Sequence, residues 1–249
     1  MTGREILHKM KVKAGFGSST SETGKGKSKI SGKDIRHGYH LVKGKSSHPM
    51  EDYLVAEFKK PEFWSDTEGA IRKAYKITDS KILEKAVELG RGGSTAVTAI
   101  LIDGVKLVVA NVGDSRAVIC KNAVAKQLSI DHEPNRERQD IEGKGGFVSN
   151  IPGDVPRVDG QLAVARAFGD RSLKVHLSSE PDVGEEMIDD GTEMLILASD
   201  GLWKVMSNQE AVDAIKDIKD AQAAAKHLTE AAVARKSSDD ISCIVVRFN

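Results

Sequence analysis

The residues best placed to do chemistry are acidic, and they fall beside segments that read as strands. Glu51 and Asp52 precede one such segment. Asp114 follows another within Gly-Asp-Ser-Arg, and Asp200 follows a third within Ser-Asp-Gly-Leu-Trp. Asp239 and Asp240 precede the last. Carboxylates at strand ends can converge on one edge of a sheet. A site built only from oxygen donors suits Mg²⁺ or Mn²⁺ rather than zinc. The seven histidines show no His-x-x-x-His spacing. Taken singly, each acid also reads as a turn or cap residue, and spacing alone supports only a metal-site guess.

The elements that must position these acids follow from pattern. Asp52–Phe58 reads as a strand, and Trp64–Leu89 as a helix capped by Ser65 or Asp66. Its apolar stripe is Ile71, Ala74, Tyr75, Thr78, Ile82 and Ala86, at spacings of three and four. Ser94–Ile102 and Val105–Val112 read as strands joined by a tight Asp103-Gly104 turn, and Arg116–Cys120 as a third. A polar helix is predicted over Pro134–Lys144 and a buried strand over Glu193–Ala198. Ser207 and Glu210 have capping-box spacing, opening a helix through Ile215. An alanine-rich helix over Asp220–Lys236 and a closing strand over Ile241–Phe248 complete the reading. Strands clustered mid-chain with helices on both sides imply an α+β layered domain.

Composition bounds the function classes. The 37 basic and 37 acidic residues of the 249-residue chain cancel, so no global field points to nucleic acid or a membrane. No apolar run approaches the ~20 residues of a membrane-spanning helix. Residues 1–10 lack the apolar stretch of a secretory signal. Cys120 and Cys243 read as buried reduced thiols, in keeping with an intracellular protein in the cytoplasm, the nucleus or both. Residues 1–47 carry 11 Lys and Arg against 3 Asp and Glu. Residues 1–37 are expected to be a basic, disordered arm, because Gly15–Gly32 offers little apolar surface to offset ordering entropy. The folded domain is expected over residues 38–249.

The motifs, in order, are His-Pro-Met-Glu-Asp (48–52), Gly-Gly-Ser-Thr-Ala (92–96), Ala-Asn-Val-Gly-Asp-Ser-Arg (110–116) and Asp-His-Glu-Pro (131–134). Leu-Ala-Val-Ala-Arg-Ala-Phe-Gly-Asp (162–170), Ala-Ser-Asp-Gly-Leu-Trp (198–203) and Asp-Asp-Ile-Ser (239–242) follow. This set resembles the protein phosphatase 2C family, in that family's order, from about Gly38 onward, and its wording is most similar to the plant branch. The resemblance implies a four-layer αββα sandwich of two antiparallel sheets flanked by helices. It implies a metal-dependent serine/threonine phosphatase acting on a phosphoprotein, as a monomer, with no nucleic-acid or membrane partner. In that family two Mg²⁺ or Mn²⁺ ions activate a water that attacks phosphorus directly. Carried over, the ligands are Asp52, Asp200 and Asp239, with Gly201 in the same motif. Glu51 contacts a metal or its water, and Asp114 belongs to a peripheral third position.

The chain also departs from the family. Its Asp-Gly pairs at 103, 159, 190 and 200 are never followed by His. The family's Asp-Gly-His supplies the carboxylate shared by both ions and the proposed general acid, so no catalytic residue is assigned here. One strand and one helix are expected to be missing near residues 58–62, where Glu57–Pro61 reads as a splice. Ser47 occupies the place of a phosphate-gripping Arg, with Lys43 or Lys45 as substitute point charges. Lys204 stands where the family has an acidic residue of the peripheral site. Asp240, in place of the usual Asn, reads as a turn variant. The expectations are therefore a phosphatase with impaired activity or, alternatively, a phosphatase-like binding protein that cannot hydrolyse.

Overall fold

The structure, a computed structural model, describes residues 21–30, 33–42, 63, 65–90 and 92–248. Two strands open it, β1 (Ser21–Ile30) and β2 (Lys33–Val42). Helix α1 (Thr67–Glu84) follows, with the short α2 (Ala86–Leu89) after a break at Lys85. Next come β3 (Gly93–Ser94), β4 (Ala96–Ile102), β5 (Lys106–Val112), β6 (Arg116–Lys121) and β7 (Val124–Gln127). A smaller region holds α3 (Arg138–Gly143), β8 (Val148–Ser149), β9 (Arg157–Val158) and β10 (Phe168–Gly169). The chain then forms β11 (Asp182–Met187), β12 (Thr192–Ala198), α4 (Asp200–Trp203), α5 (Asn208–Ile215), α6 (Ala221–Ala234) and β13 (Ile241–Phe248).

Two antiparallel sheets lie face to face. The larger runs β1-β2-β13-β12-β6-β7 and the smaller β11-β5-β4. Period-two alternation sorts their side chains into layers. Leu107 and Val109 of β5 meet Ala117 and Ile119 of β6, Leu195 and Leu197 of β12, and Phe248 between the sheets. The opposite face of the larger sheet offers Val118, Cys120, Met194, Ile196, Cys243 and Val245 to α4, α5 and α6. The opposite face of the smaller sheet offers Val108, Ala110 and Val112 to Ile71 and Tyr75 of α1. The order helix, sheet, sheet, helices is the four-layer arrangement expected.

Local chemistry explains most boundaries. Asp66 caps α1 by accepting from the Gly69 N–H at 2.9 Å. Ser207 and Glu210 form the capping box of α5. Asp103 and Gly104 both have positive φ, as a tight hairpin turn requires. Both cysteines are free and buried. Burial, followed by the nearby Glu193 carboxylate, pushes the Cys120 thiol up to about 11. Among the described residues, no helix is long and apolar enough to cross a membrane.

The expected disordered arm is corrected over part of its length, because residues 21–30 and 33–37 lie in β1 and β2. Poor apolar content gave the wrong answer there because backbone pairing and neighbours stabilise the segment. Strand β2 is hydrogen-bonded on both sides, to β1 and to β13. Ile35 and Leu41 are buried, and the Gln222 amide of α6 donates to Thr23 Oγ1 at 2.9 Å. The predicted strand over residues 52–58 and the splice near residues 58–62 lie outside the described residues.

Candidate metal centre

Strand register brings the acids together. Ala198, at the end of β12, pairs with Arg116 on one side and Cys243 on the other. Asp114 precedes Arg116 by two residues, Asp200 follows Ala198 by two, and Asp239 leads into β13. All three therefore leave the larger sheet at the same edge. Ile241 of β13 pairs with Val42 of β2, so β2 ends at this edge as well; Lys43, Lys45, Glu51 and Asp52 come later in the sequence. Those four expected site residues lie outside the described residues.

Asp200 opens α4 directly after β12. Ser199 ties the two strand ends together: its hydroxyl accepts from the Ser242 N–H at 2.9 Å and donates to the Asp240 carbonyl at 3.3 Å. Asp239 Oδ1 accepts from the Asp240 N–H at 3.0 Å. Between Asp200 and Asp239 stands Lys204, whose ammonium pairs with Oδ2 of each, at 2.9 Å from Asp239. Burial opposes the charge on Lys204, but its hydrogen bonds to Asp200 and then Asp239 outweigh this and raise its pKa. Asp114 is partly buried beside the pair. Burial, followed by the negative charge of Asp200, pushes its carboxyl up to about 7 against partial relief from Lys204.

The Asp114 turn is itself braced. Gly113 has φ 96°, and a Cβ there would lie 2.2 Å from Thr95 Cγ2, so only glycine fits. The Gly113 N–H donates to His132 Nδ1 at 2.9 Å, and Nε2 of the same ring lies 2.8 Å from Asp182 Oδ2. Arg116 grips Asp131 through Nε and Nη2 and donates from Nη1 to Asn208 at 2.8 Å. Its guanidinium lies 5.2 Å from the centre of the Trp203 ring.

Gly201, expected among the metal-site residues, follows Asp200 in α4. It is buried in α4, its carbonyl accepts from the Ser237 hydroxyl at 2.7 Å, and a Cβ would lie 2.2 Å from the Asp240 carbonyl oxygen. Its contribution is close packing. The sequence reading passed over the Asp200–Lys204 pairing, although the four-residue spacing on a helical turn announces it. It also missed Asp131 and His132 as supports, for which the adjacent Asp-His pair was the signal.

Among the described residues, no group of three or more His, Cys, Asp or Glu is arranged as a ready metal cage. The donors present nonetheless fit a hard divalent cation. They are carboxylate oxygens, they converge, and they already share a cationic partner in Lys204.

A sequence model described as Protein phosphatase 2C matches residues 2–241. The chain is 68% identical to a rice (Oryza sativa subsp. japonica) protein named probable protein phosphatase 2C 62. That alignment covers 100% of this chain and 99% of the rice protein over 288 positions. It is 62% identical to probable protein phosphatase 2C 58 of Arabidopsis thaliana over 284 positions, covering 100% of each. Both alignments are a few dozen positions longer than the 249 residues of this chain. Among solved structures, the fold is similar to a serine-threonine phosphatase 2C from Toxoplasma gondii. The TM-score is 0.69 and the identity 23%, covering 92% of this chain and 94% of the other. A C. elegans sex determining protein is similar in fold with TM-score 0.68 and 22% identity, covering 92% and 65%.

Proposed function

Because this chain belongs to the protein phosphatase 2C family, serine/threonine phosphatases with phosphoprotein substrates, we propose that its working site is the sheet edge carrying Asp114, Asp200 and Asp239. One observation carries this reading: three neighbouring strands in register deliver these carboxylates to one edge. The family is generally metal-dependent. In this chain Asp200 and Asp239, with Asp52 by sequence, would hold Mg²⁺ or Mn²⁺. Glu51 would support them and Asp114 would serve a peripheral position. Two such ions, when bound, supply an activated water as nucleophile and offset charge developing on the phosphoryl oxygens.

The chain's own residues do the rest. Ser199 and the Arg116–Asp131 pair fix where the acids stand. Asp114, whose carboxyl is raised to about 7 by burial and by the charge of Asp200, stands beside them. Lys43 and Lys45 offer positive charge to a phosphate.

Hydrolysis is impaired in this reading. No Asp-Gly-His is present to supply the carboxylate shared by two ions or the imidazole that protonates the leaving oxygen. The surplus of aligned positions in the relatives matches the size of such a missing segment. A protein that engages phosphoproteins without hydrolysing them is the second reading, favoured by the same absence.

The test compares this chain with a chimera carrying the corresponding segment of the rice relative. With excess Mn²⁺, the chain is expected to hydrolyse a phosphothreonine peptide at least about a hundredfold more slowly than the chimera, the scale of a lost general acid. Equal turnover would remove the impairment. An inactive chimera would remove the assignment of the site.

A further inference from the structure

Lys204 is the one cation pairing with both Asp200 and Asp239 among the described residues. A single exposed ion pair contributes little. Here, however, one ammonium serves two carboxylates that repel each other, with the partly buried Asp114 alongside. Removing the positive charge leaves three acids at one sheet edge with nothing described between them to offset their repulsion. Geometry also lets the lysine leave. It ends the one-turn helix α4, and its side chain is 54% exposed while Asp200 is 27% exposed. The ammonium can swing into solvent without crossing the core.

We propose that Lys204 is a built-in countercation that holds Asp200 and Asp239 together in the metal-free protein and competes with a divalent ion for the pair. This rests on the reading of these acids as metal ligands. A dication interacts with each carboxylate about twice as strongly as an ammonium at equal distance, so it displaces the lysine once its own dehydration is met. The apparent affinity is lowered by the fraction of molecules in which the lysine is already out. The missing Asp-Gly-His segment sharpens the competition, because one fewer carboxylate favours the ion. The lysine thereby sets the metal concentration at which the edge loads.

The experiment titrates Mn²⁺ calorimetrically into the full chain, Lys204→Met, Lys204→Arg and Asp200→Asn. Thermal melting of each protein is followed with and without Mn²⁺. Lys204→Met is expected to bind Mn²⁺ about tenfold more tightly than the unmodified chain. It is also expected to melt lower without metal and to regain more on metal addition. Lys204→Arg keeps the charge and is expected to stay weak. Equal or weaker binding by Lys204→Met, where the unmodified chain does bind, overturns the proposal. So does Lys204→Arg binding as tightly as Lys204→Met. If no protein gives heat or a melting shift with Mn²⁺, the metal-site reading itself fails, and the competition falls with it. Binding undiminished in Asp200→Asn would place the ion away from this pair and overturn the proposal as well.

Discussion

Arg116 and Asp131 face each other through two guanidinium nitrogens, with Nε 3.1 Å from Oδ2, in a position 19% and 10% exposed respectively. The pair is the centre of a brace. Gln127 Nε2 donates to Asp131 Oδ1 at 3.0 Å, Asn208 Nδ2 donates to Gln127 Oε1 at 3.1 Å, and Trp203 lies beneath the guanidinium. The brace therefore joins the turn bearing Asp114 to the helix opened by Asp200. Truncating Arg116 to Ala leaves a mostly buried carboxylate without its counter-charge. The expected cost is about 3 kcal/mol in urea denaturation. Lys at this position restores charge but not the two-nitrogen grip, so an intermediate loss is expected. A loss under 1 kcal/mol for the Ala variant would show that the brace is dispensable.

Asp79 makes a second brace, on the other side of the sandwich. It is buried in α1 and accepts from the Gly169 N–H at 2.8 Å and from Lys174 Nζ at 2.9 Å. Lys174 in turn donates to the Ala167 carbonyl at 2.8 Å. Asp79→Ala leaves a buried N–H and a largely buried ammonium unpaired. A loss of about 2–4 kcal/mol is expected, with faster proteolysis between residues 167 and 174. Unchanged cleavage rates would argue against the clamp.

Glu210 ties α5 to solution pH. Its carboxyl is held at about 2 by hydrogen bonds from the Ser207 backbone and hydroxyl and by Arg235. The folded value lies below the unfolded one near 4.3. Its stabilising contribution is therefore complete above that unfolded value and is lost as pH falls toward 2. The stability difference between the protein and Glu210→Gln is expected to be largest near neutrality and to shrink between pH 5 and pH 2. Denaturant midpoints of both proteins across that range measure it, and a gap that stays constant would disprove the assignment.

The same residues show how far the sequence could be read. The capping box at Ser207 and Glu210 is local, so four positions suffice to see it. Strand β12 was legible because every residue from Met194 to Ala198 is apolar. Convergence of Asp114, Asp200 and Asp239 was suggested by their places at strand ends. The register that aligns Arg116, Ala198 and Cys243 depends on pairings distant in sequence. Strands β1 and β2 were illegible for the same reason: Lys25, Lys27 and the glycines describe a solvated tail until β13 and α6 are placed beside them. Lys204 was seen as a lost ligand rather than a partner, because family comparison asks what a residue replaces and not what it touches.

The four edges of the two sheets differ in one respect that bears on solubility. Strand β1 carries Lys25 and Lys27, β7 carries Lys126, and β11 carries Glu185 and Glu186. Strand β4, Ala-Val-Thr-Ala-Ile-Leu-Ile, carries no charge, and it pairs only with β5 among the described strands. All seven of its residues are partly exposed. Sheet edges without charge, proline or cover recruit further strands. Adding a charge to β4 is not open to the chain at low cost, since Val97, Ala99 and Leu101 pack between the sheets while Ala96, Ile100 and Ile102 pack toward α1. Thr98 is held by the Tyr75 hydroxyl at 2.8 Å. The chain is therefore expected to gain light scattering with time at 37 °C, with a concentration-dependent lag. The chimera carrying the relative's segment, which supplies an additional strand by family likeness, is expected to stay clear. Equal scattering from both proteins would mean that the β4 edge does not drive association, and hydrogen exchange showing β4 amides as protected as those of β5 would mean that this edge is already covered.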